Sequence, residues 1–229
     1  MMEYTEFKDA VVFITCGNQT GTGFFAVFTI DNKPVPVLVT AKHVIETEEG
    51  APSDITLALH YQPFEGHTST AYLPVHVRWH KHPEKDVCCC LLADVNAQFE
   101  KIIGFPIHAF CISEYCCITE QQREKTSVHS RVFMPGYPLG IATKPNYNPL
   151  YLHGYLASDP ADNHITGMGY ADVTALPGSS GSPLLLAEEP YCLIGILTCA
   201  VTDAQNAGLG MYLDAEALLE LKEEVKNWK

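Results

Sequence analysis

The stretch ALPGSSGSPLL, residues 175–185, sets Ser179, Ser180 and Ser182 among two glycines, ahead of an apolar run. Gly and Ser between apolar segments are what any tight turn uses, so alone the stretch reads as a surface turn. A serine hydroxyl becomes a nucleophile at neutral pH only when a nearby base takes its proton and an acid fixes that base's tautomer. The chain has ten histidines and none follows His164, so a base must come from upstream of the serines. That order excludes an arrangement running serine, acid, histidine, and leaves histidine, acid, serine or acid, histidine, serine. Ser182 also stands where the excluded arrangement needs a glycine two positions after Ser180. His43 has the most informative setting: VPVLVTAKHVI is an apolar strand ending in Thr40 and Ala41, with the imidazole where strand gives way to turn. His60, His67, His76, His129, His153 and His164 have no such context.

The elements that must position these residues are short β-branched and aromatic runs bounded by turn residues: AVVFITC, GFFAVFTI, VPVLVTA, ITLALHY, DVCCCLLA, SRVFMPGY and YCLIGILTCA. Their spacing predicts an all-β sandwich or barrel. Asp31, Asn32, Lys33 and Pro34 form a hairpin turn between two of them. Helical periodicity is confined to the C-terminus. There Asp214 is a plausible N-cap, and Leu218, Leu221, Val225 and Trp228 fall at three- and four-residue intervals on one face. The strand pattern is weakest around residues 113–128, SEYCCITEQQREKTSV, which marks the join between two halves of similar size.

TGTGFF at 20–25, LVTAKHVI at 38–45, ALPGSSGSPLL and CLIGILTCA at 192–200 occur in this order over nearly the whole chain. Together they resemble the trypsin-like serine peptidases, in their HtrA-like branch. The resemblance implies two chymotrypsin-like six-stranded antiparallel β-barrels and a C-terminal helix. Residues 1–115 would form the barrel carrying His43 and Asp86, and residues 116–229 the barrel carrying Ser180 plus the helix. It further implies Ser180 as nucleophile, with Ser179 and Ser182 as turn residues, and backbone N–H groups of Gly178 and Ser180 as the oxyanion hole. Thr198 matches the family's small hydroxyl residue that bonds the triad acid. The strand Thr198 to Ala200, with Cys199 and with Thr174, would contact substrate. For the acid, HKHPEKDVCCCLL places Asp86 at the mouth of an apolar strand, where it can accept the ring N–H of His43; Asp94, in ADVNAQ, reads as a turn and is the runner-up.

The chain departs from secreted members of that family. Ser179 replaces the aspartate that would pair with a cleaved N-terminus, no Arg-Ile-Val-Gly-type cleavage sequence occurs, and Val44, not a cysteine, directly follows His43. The oxyanion loop must therefore be ordered by loop packing, an activating partner or an additional domain outside this chain. The family's PDZ module has no counterpart in these residues. No acid falls at the base of the primary pocket, which favours an apolar residue before the scissile bond.

The formal charge of −13, from 27 acidic against 14 basic residues, opposes nucleic acid as a partner. The apolar runs are strand-sized, so none spans a membrane. MMEYTEFKDAVVF has no basic segment, apolar core and small-residue cleavage site, which points to the cytoplasm. Nine cysteines, an odd number with Cys88, Cys89 and Cys90 consecutive, read as reduced core residues. A zinc site gathering His108, Cys111, Cys116 and Cys117 is a rival reading without a CxxC pair. His80 and His82, between Lys81, Pro83, Glu84 and Lys85, read as a solvated loop. No metal or other cofactor is called for. Two function classes follow: a serine endopeptidase acting on protein or peptide, with a viral polyprotein-processing enzyme as a variant of it, and a non-catalytic peptide-binding or scaffold protein. A fluorophosphonate probe separates them.

Overall fold

A computed structural model describes residues 4–46, 55–203 and 206–227. The first sheet contains β1 (Val11–Cys16), β2 (Gln19–Ile30), β3 (Lys33–Thr40), β4 (Ile55–Phe64), β5 (His67–Val75), β6 (His80–Lys81), β7 (Cys88–Leu91) and β8 (Ile112–Ser113). Its order is β5-β4-β1-β2-β3-β7-β6, and β8 pairs parallel to β2. Two more strands than expected enter this sheet, the two-residue β6 and β8, and its ladder does not close among the described residues. The second sheet contains β9 (Arg131–Gly136), β10 (Leu150–Leu156), β11 (Met168–Asp172), β12 (Pro183–Leu186), β13 (Leu193–Asp203) and β14 (Asn206–Asp214). These six close an antiparallel barrel in the order β10-β11-β14-β13-β12-β9.

The apolar runs of the first sheet are nearly continuous because both of its faces are covered. Side chains alternate across a strand. On β1, Val11 and Phe13 join the core shared with the second barrel, while Val12, Ile14 and Cys16 fill the first sheet's own interior. Cys88 and Cys90 likewise face the interior and Cys89 the shared core. Burial pushes all three thiols up, Cys89 to about 12, so they stay protonated and act as small apolar side chains. The β2–β3 hairpin turns at Asp31 and Asn32, with φ 49° and 60°. Positive φ at both central residues fits a turn matched to strand twist, and Asn and Asp tolerate it best among residues other than Gly.

Among the described residues the strands are accompanied by five α-helices: α1 (Lys42–Ile45), α2 (Leu92–Ile103), α3 (Glu120–Arg123), α4 (Pro160–Thr166) and α5 (Glu216–Lys226). The α2 helix corrects the reading that helix is confined to the C-terminus and that ADVNAQ is a turn. It starts directly out of β7 with no side-chain cap, buries Val95 and Phe99, and ends on Gly104 at φ 83°. In α5, Ala217, Leu218, Leu221 and Val225 are buried; Trp228 lies outside the described residues. Asp214 precedes this helix and accepts from Glu216 N at 2.9 Å, but the cap position itself is Ala215. Its carboxylate also takes both guanidinium nitrogens of buried Arg123, at 2.5 and 2.6 Å. No helix among the described residues is long and apolar enough to cross a membrane.

Candidate active site

The serines stand in a turn between β11 and β12 that only glycine can make. Gly178 and Gly181 have φ of 92° and 87°. A Cβ on Gly178 would lie 2.4 Å from Tyr137 O, and one on Gly181 2.0 Å from Thr22 O. Both positions thus need glycine for backbone conformation and for close approach. Ser179 and Ser182 are buried inside the turn, while Ser180 is half-exposed at its tip. Each carbonyl around Ser180 is engaged: Pro177 O by Leu139 N, Gly178 O by Thr22 Oγ1, Ser179 O by Ser182 N and Ser180 O by Thr22 N. The amides of Ser179 and Gly181 donate to Leu176 O and Leu197 O. Those of Gly178 and Ser180 donate to no acceptor among the described residues.

Across the cleft, α1 begins two residues after β3 ends and carries His43. Asp86 precedes β7, the strand paired with β3 through Thr40↔Cys88. This neighbouring register brings the two side chains together: Asp86 Oδ2 lies 2.6 Å from His43 Nδ1, and Asp86 Oδ1 accepts from His43 N at 3.1 Å. A carboxylate on Nδ1 fixes the proton there and leaves Nε2 as the acceptor. Asp94 lies on α2 and takes no part.

His43, Asp86 and Ser180 line one cleft of about 630 Å³. Its remaining walls are largely apolar, with Met168, Leu176, Pro177, Cys199, Met211 and Leu213, and Glu84 and Lys85 also line it. Thr198 and Cys199 are part of it, whereas Thr174 is exposed and is not among its lining residues. Ala200 continues β13 opposite Gly210. Burial, with Asp86 nearby, pushes the Cys199 thiol up, so it is protonated and no rival nucleophile at neutral pH. One link is not formed: Ser180 Oγ donates to Thr198 O at 3.1 Å, and no hydrogen bond joins it to His43. The Thr198 hydroxyl also differs from expectation. It donates to Met211 O at 3.3 Å across the β13–β14 ladder instead of to Asp86.

No family model matches the sequence, and no curated protein matches it. Among solved structures the chain is similar to Rv3671c from M. tuberculosis H37Rv, solved as a serine-to-alanine mutant in its inactive form. The two share 16% identity at a TM-score of 0.58, over 97% of this chain and 89% of that one. The fold is chymotrypsin-like. With 802 solved chains matching it, the fold alone does not select an activity.

His82 is a residue that sequence reasoning missed. It is buried, not solvated: Nδ1 accepts from Glu84 N at 3.2 Å and Lys85 N at 2.9 Å, and Nε2 faces Glu220 of α5 at 3.1 Å. With Nδ1 accepting, the ring proton sits on Nε2 and donates to Glu220. Lys85 also pairs with Glu220, and Lys42 Nζ donates to His82 O at 3.0 Å. These contacts fold the loop that delivers Asp86. Of the suggested zinc ligands, His108 faces Asp9 and Gln62 and Cys117 packs in the core. No three His, Cys, Asp or Glu side chains gather as a metal site among the described residues.

Proposed function

We propose that the chain is a serine endopeptidase. The observation that carries this reading is a glycine-framed serine turn facing a His43–Asp86 pair, 2.6 Å apart, across one cleft. A peptide in that cleft would lie along β13 at Thr198–Ala200, adding a strand to its edge. Rotation of Ser180 about χ1, between staggered positions, carries Oγ from Thr198 O toward His43 Nε2. Hydrogen bonds of this kind are often loose in unliganded sites and tighten with substrate.

Ser180 Oγ then adds to the scissile carbonyl carbon while its proton passes to His43 Nε2, and Asp86 stabilises the imidazolium through Nδ1–H. The carbonyl oxygen becomes an oxyanion held by the amides of Gly178 and Ser180, each donor worth about 3 kcal/mol in a dry site. Collapse breaks the C–N bond, and His43 gives its proton to the leaving amine. Water repeats the sequence on the acyl-enzyme, with His43 as base and then acid. The apolar walls of Met168, Leu176, Met211 and Leu213 favour an apolar side chain before the scissile bond.

A second reading, a peptide-binding protein that performs no chemistry, is favoured by the single observation that Ser180 Oγ points to Thr198 O. A fluorophosphonate probe decides between them. Labelling of the wild type, with labelling and peptide turnover lost by about 10⁴-fold or more in Ser180→Ala, is the expected result. Folded wild type that neither labels nor cleaves leaves the binding reading in place.

A further inference from the structure

The serine turn is gripped from the opposite sheet by one buried threonine. Thr22, on β2, donates its N–H to Ser180 O at 2.8 Å and its hydroxyl to Gly178 O at 2.8 Å. The same hydroxyl oxygen accepts from Tyr137 N at 3.0 Å. Thr22 O in turn accepts from Thr40 Oγ1 at 2.8 Å, and Thr40 O faces Cys88 Sγ at 3.6 Å. Thr40 closes the strand before His43, and Cys88 opens the strand after Asp86. One chain of hydrogen bonds therefore runs from the serine turn to both elements that carry the acid–base pair.

A peptide plane holds its C=O and N–H antiparallel, so a carbonyl pinned on one side aims the N–H of the same plane to the other. Leu139 N pins Pro177 O at 2.5 Å, which aims the Gly178 N–H away from that contact. Ser182 N pins Ser179 O at 3.1 Å, which does the same for the Ser180 N–H. Thr22 locks the two alternate planes through Gly178 O and Ser180 O. Thr22 also reaches the segment that carries the Leu139 pin: its hydroxyl accepts from the Tyr137 amide, two residues before Leu139, which sits at φ 55°, a region unfavourable for leucine. The fit at Gly178 is close enough that a Cβ would lie 3.1 Å from Leu139 N.

Resting on the reading of Ser180 as nucleophile, we propose that Thr22 is a positioning residue: its hydroxyl fixes the Gly178 and Ser180 amides as an oxyanion hole. It does so without the charged terminus-to-aspartate pair that Ser179 rules out. Steady-state kinetics on a fluorogenic peptide with an apolar residue before the scissile bond test this, together with amide NMR spectra, in Thr22→Val, Thr22→Ala and Thr22→Ser. Val and Ala are expected to lower kcat about 10²-fold with KM within about twofold, while Ser keeps kcat near wild type. The Gly178 and Ser180 resonances are expected to shift or broaden in Val and Ala but not in Ser. Ala and Ser differ by the hydroxyl alone, so their contrast survives poor packing of Val. Equal kcat in Thr22→Ala and Thr22→Ser overturns the proposal, as does an unmoved Gly178 resonance in Thr22→Ala. A wild type that cleaves no peptide counts against the peptidase reading instead, and the amide spectra then decide the role of Thr22 by themselves.

Discussion

Two of the imidazole–carboxylate pairs among the described residues lie in opposite settings. His43 and Asp86 meet at 2.6 Å with 48% and 36% of their side chains exposed, facing the serine turn. His60 and Asp9 meet at 3.2 Å with 4% and 11% exposed, and Asp9 also faces His108 at 3.5 Å. The residue types are the same, so a His–Asp contact alone does not mark an active site. What separates the pairs is what lies beyond the imidazole: an open cleft ending on Ser180 in the first, packed protein in the second. On the proposed reading the first pair moves a proton at the serine, whereas the second ties the N-terminal segment to β4.

The largest expected effect comes from turning the first pair into a structural contact. In Asp86→Asn the amide can still accept from His43 N, but its NH₂ faces Nδ1 and drives the ring proton to Nε2. That nitrogen can then no longer receive the proton of Ser180, and kcat should fall about 10⁴-fold. Because the pair is open to solvent, stability should change by less than about 1 kcal/mol. Kinetics alongside urea unfolding check both halves. A large stability loss would mean that the exposed pair also holds the fold, and the contrast between the pairs would collapse.

Next in size is the turn that makes the first pair a site. In Gly181→Ala the new Cβ would lie 2.0 Å from Thr22 O and 2.4 Å from Thr40 Oγ1, at a φ of 87°. Backbone on one side and a pinned hydroxyl on the other leave little room to relax. A loss of roughly 2–4 kcal/mol is expected, read as a lower urea midpoint at unchanged slope. An unaltered midpoint would mean that the turn is looser than its hydrogen bonds imply.

These elements differ in how far the sequence discloses them. Two glycines flanking serines ahead of an apolar run state a backbone requirement locally, so the turn is legible. So is the spacing of apolar runs, because sheets covered on both faces leave nearly continuous β-branched and aromatic segments. The α2 helix is masked because it leaves β7 without a polar cap, and CCCLLADV reads as one strand running into a turn. Its periodicity at Val95 and Phe99, closed by Gly104, is the signal that could have revealed it. His82 is hidden for a different reason: its burial comes from Glu220, 138 positions away, and no local pattern encodes that. The Thr198 hydroxyl is misjudged because its choice between Asp86 and Met211 O depends on side-chain rotation, which residue type does not fix.

The smallest expected effect belongs to the buried pair and appears only in acid. Burial pushes the Asp9 carboxyl up, but the hydrogen bond with His60 and the charges of Lys8, His108 and His60 outweigh it and hold Asp9 below its ordinary 3.8. The folded state therefore binds fewer protons than the unfolded chain between the lowered value and 3.8. The stabilisation from Asp9 is complete above the unfolded value and is lost as pH falls through the folded one. In Asp9→Asn this contribution is gone at every pH. The stability gap between wild type and variant should be open near neutrality and closed at an acid pH below the lowered folded value. Peptide turnover near neutrality should stay within about twofold, since Asp9 lines no part of the cleft. Urea unfolding at both pH values, with kinetics at the upper one, makes the measurement. If the gap stayed open in acid, the carboxylate charge would be irrelevant and the contact would act through packing. If turnover fell, the buried pair would be coupled to the cleft, and the division between a pair that moves protons and a pair that holds the chain would fail.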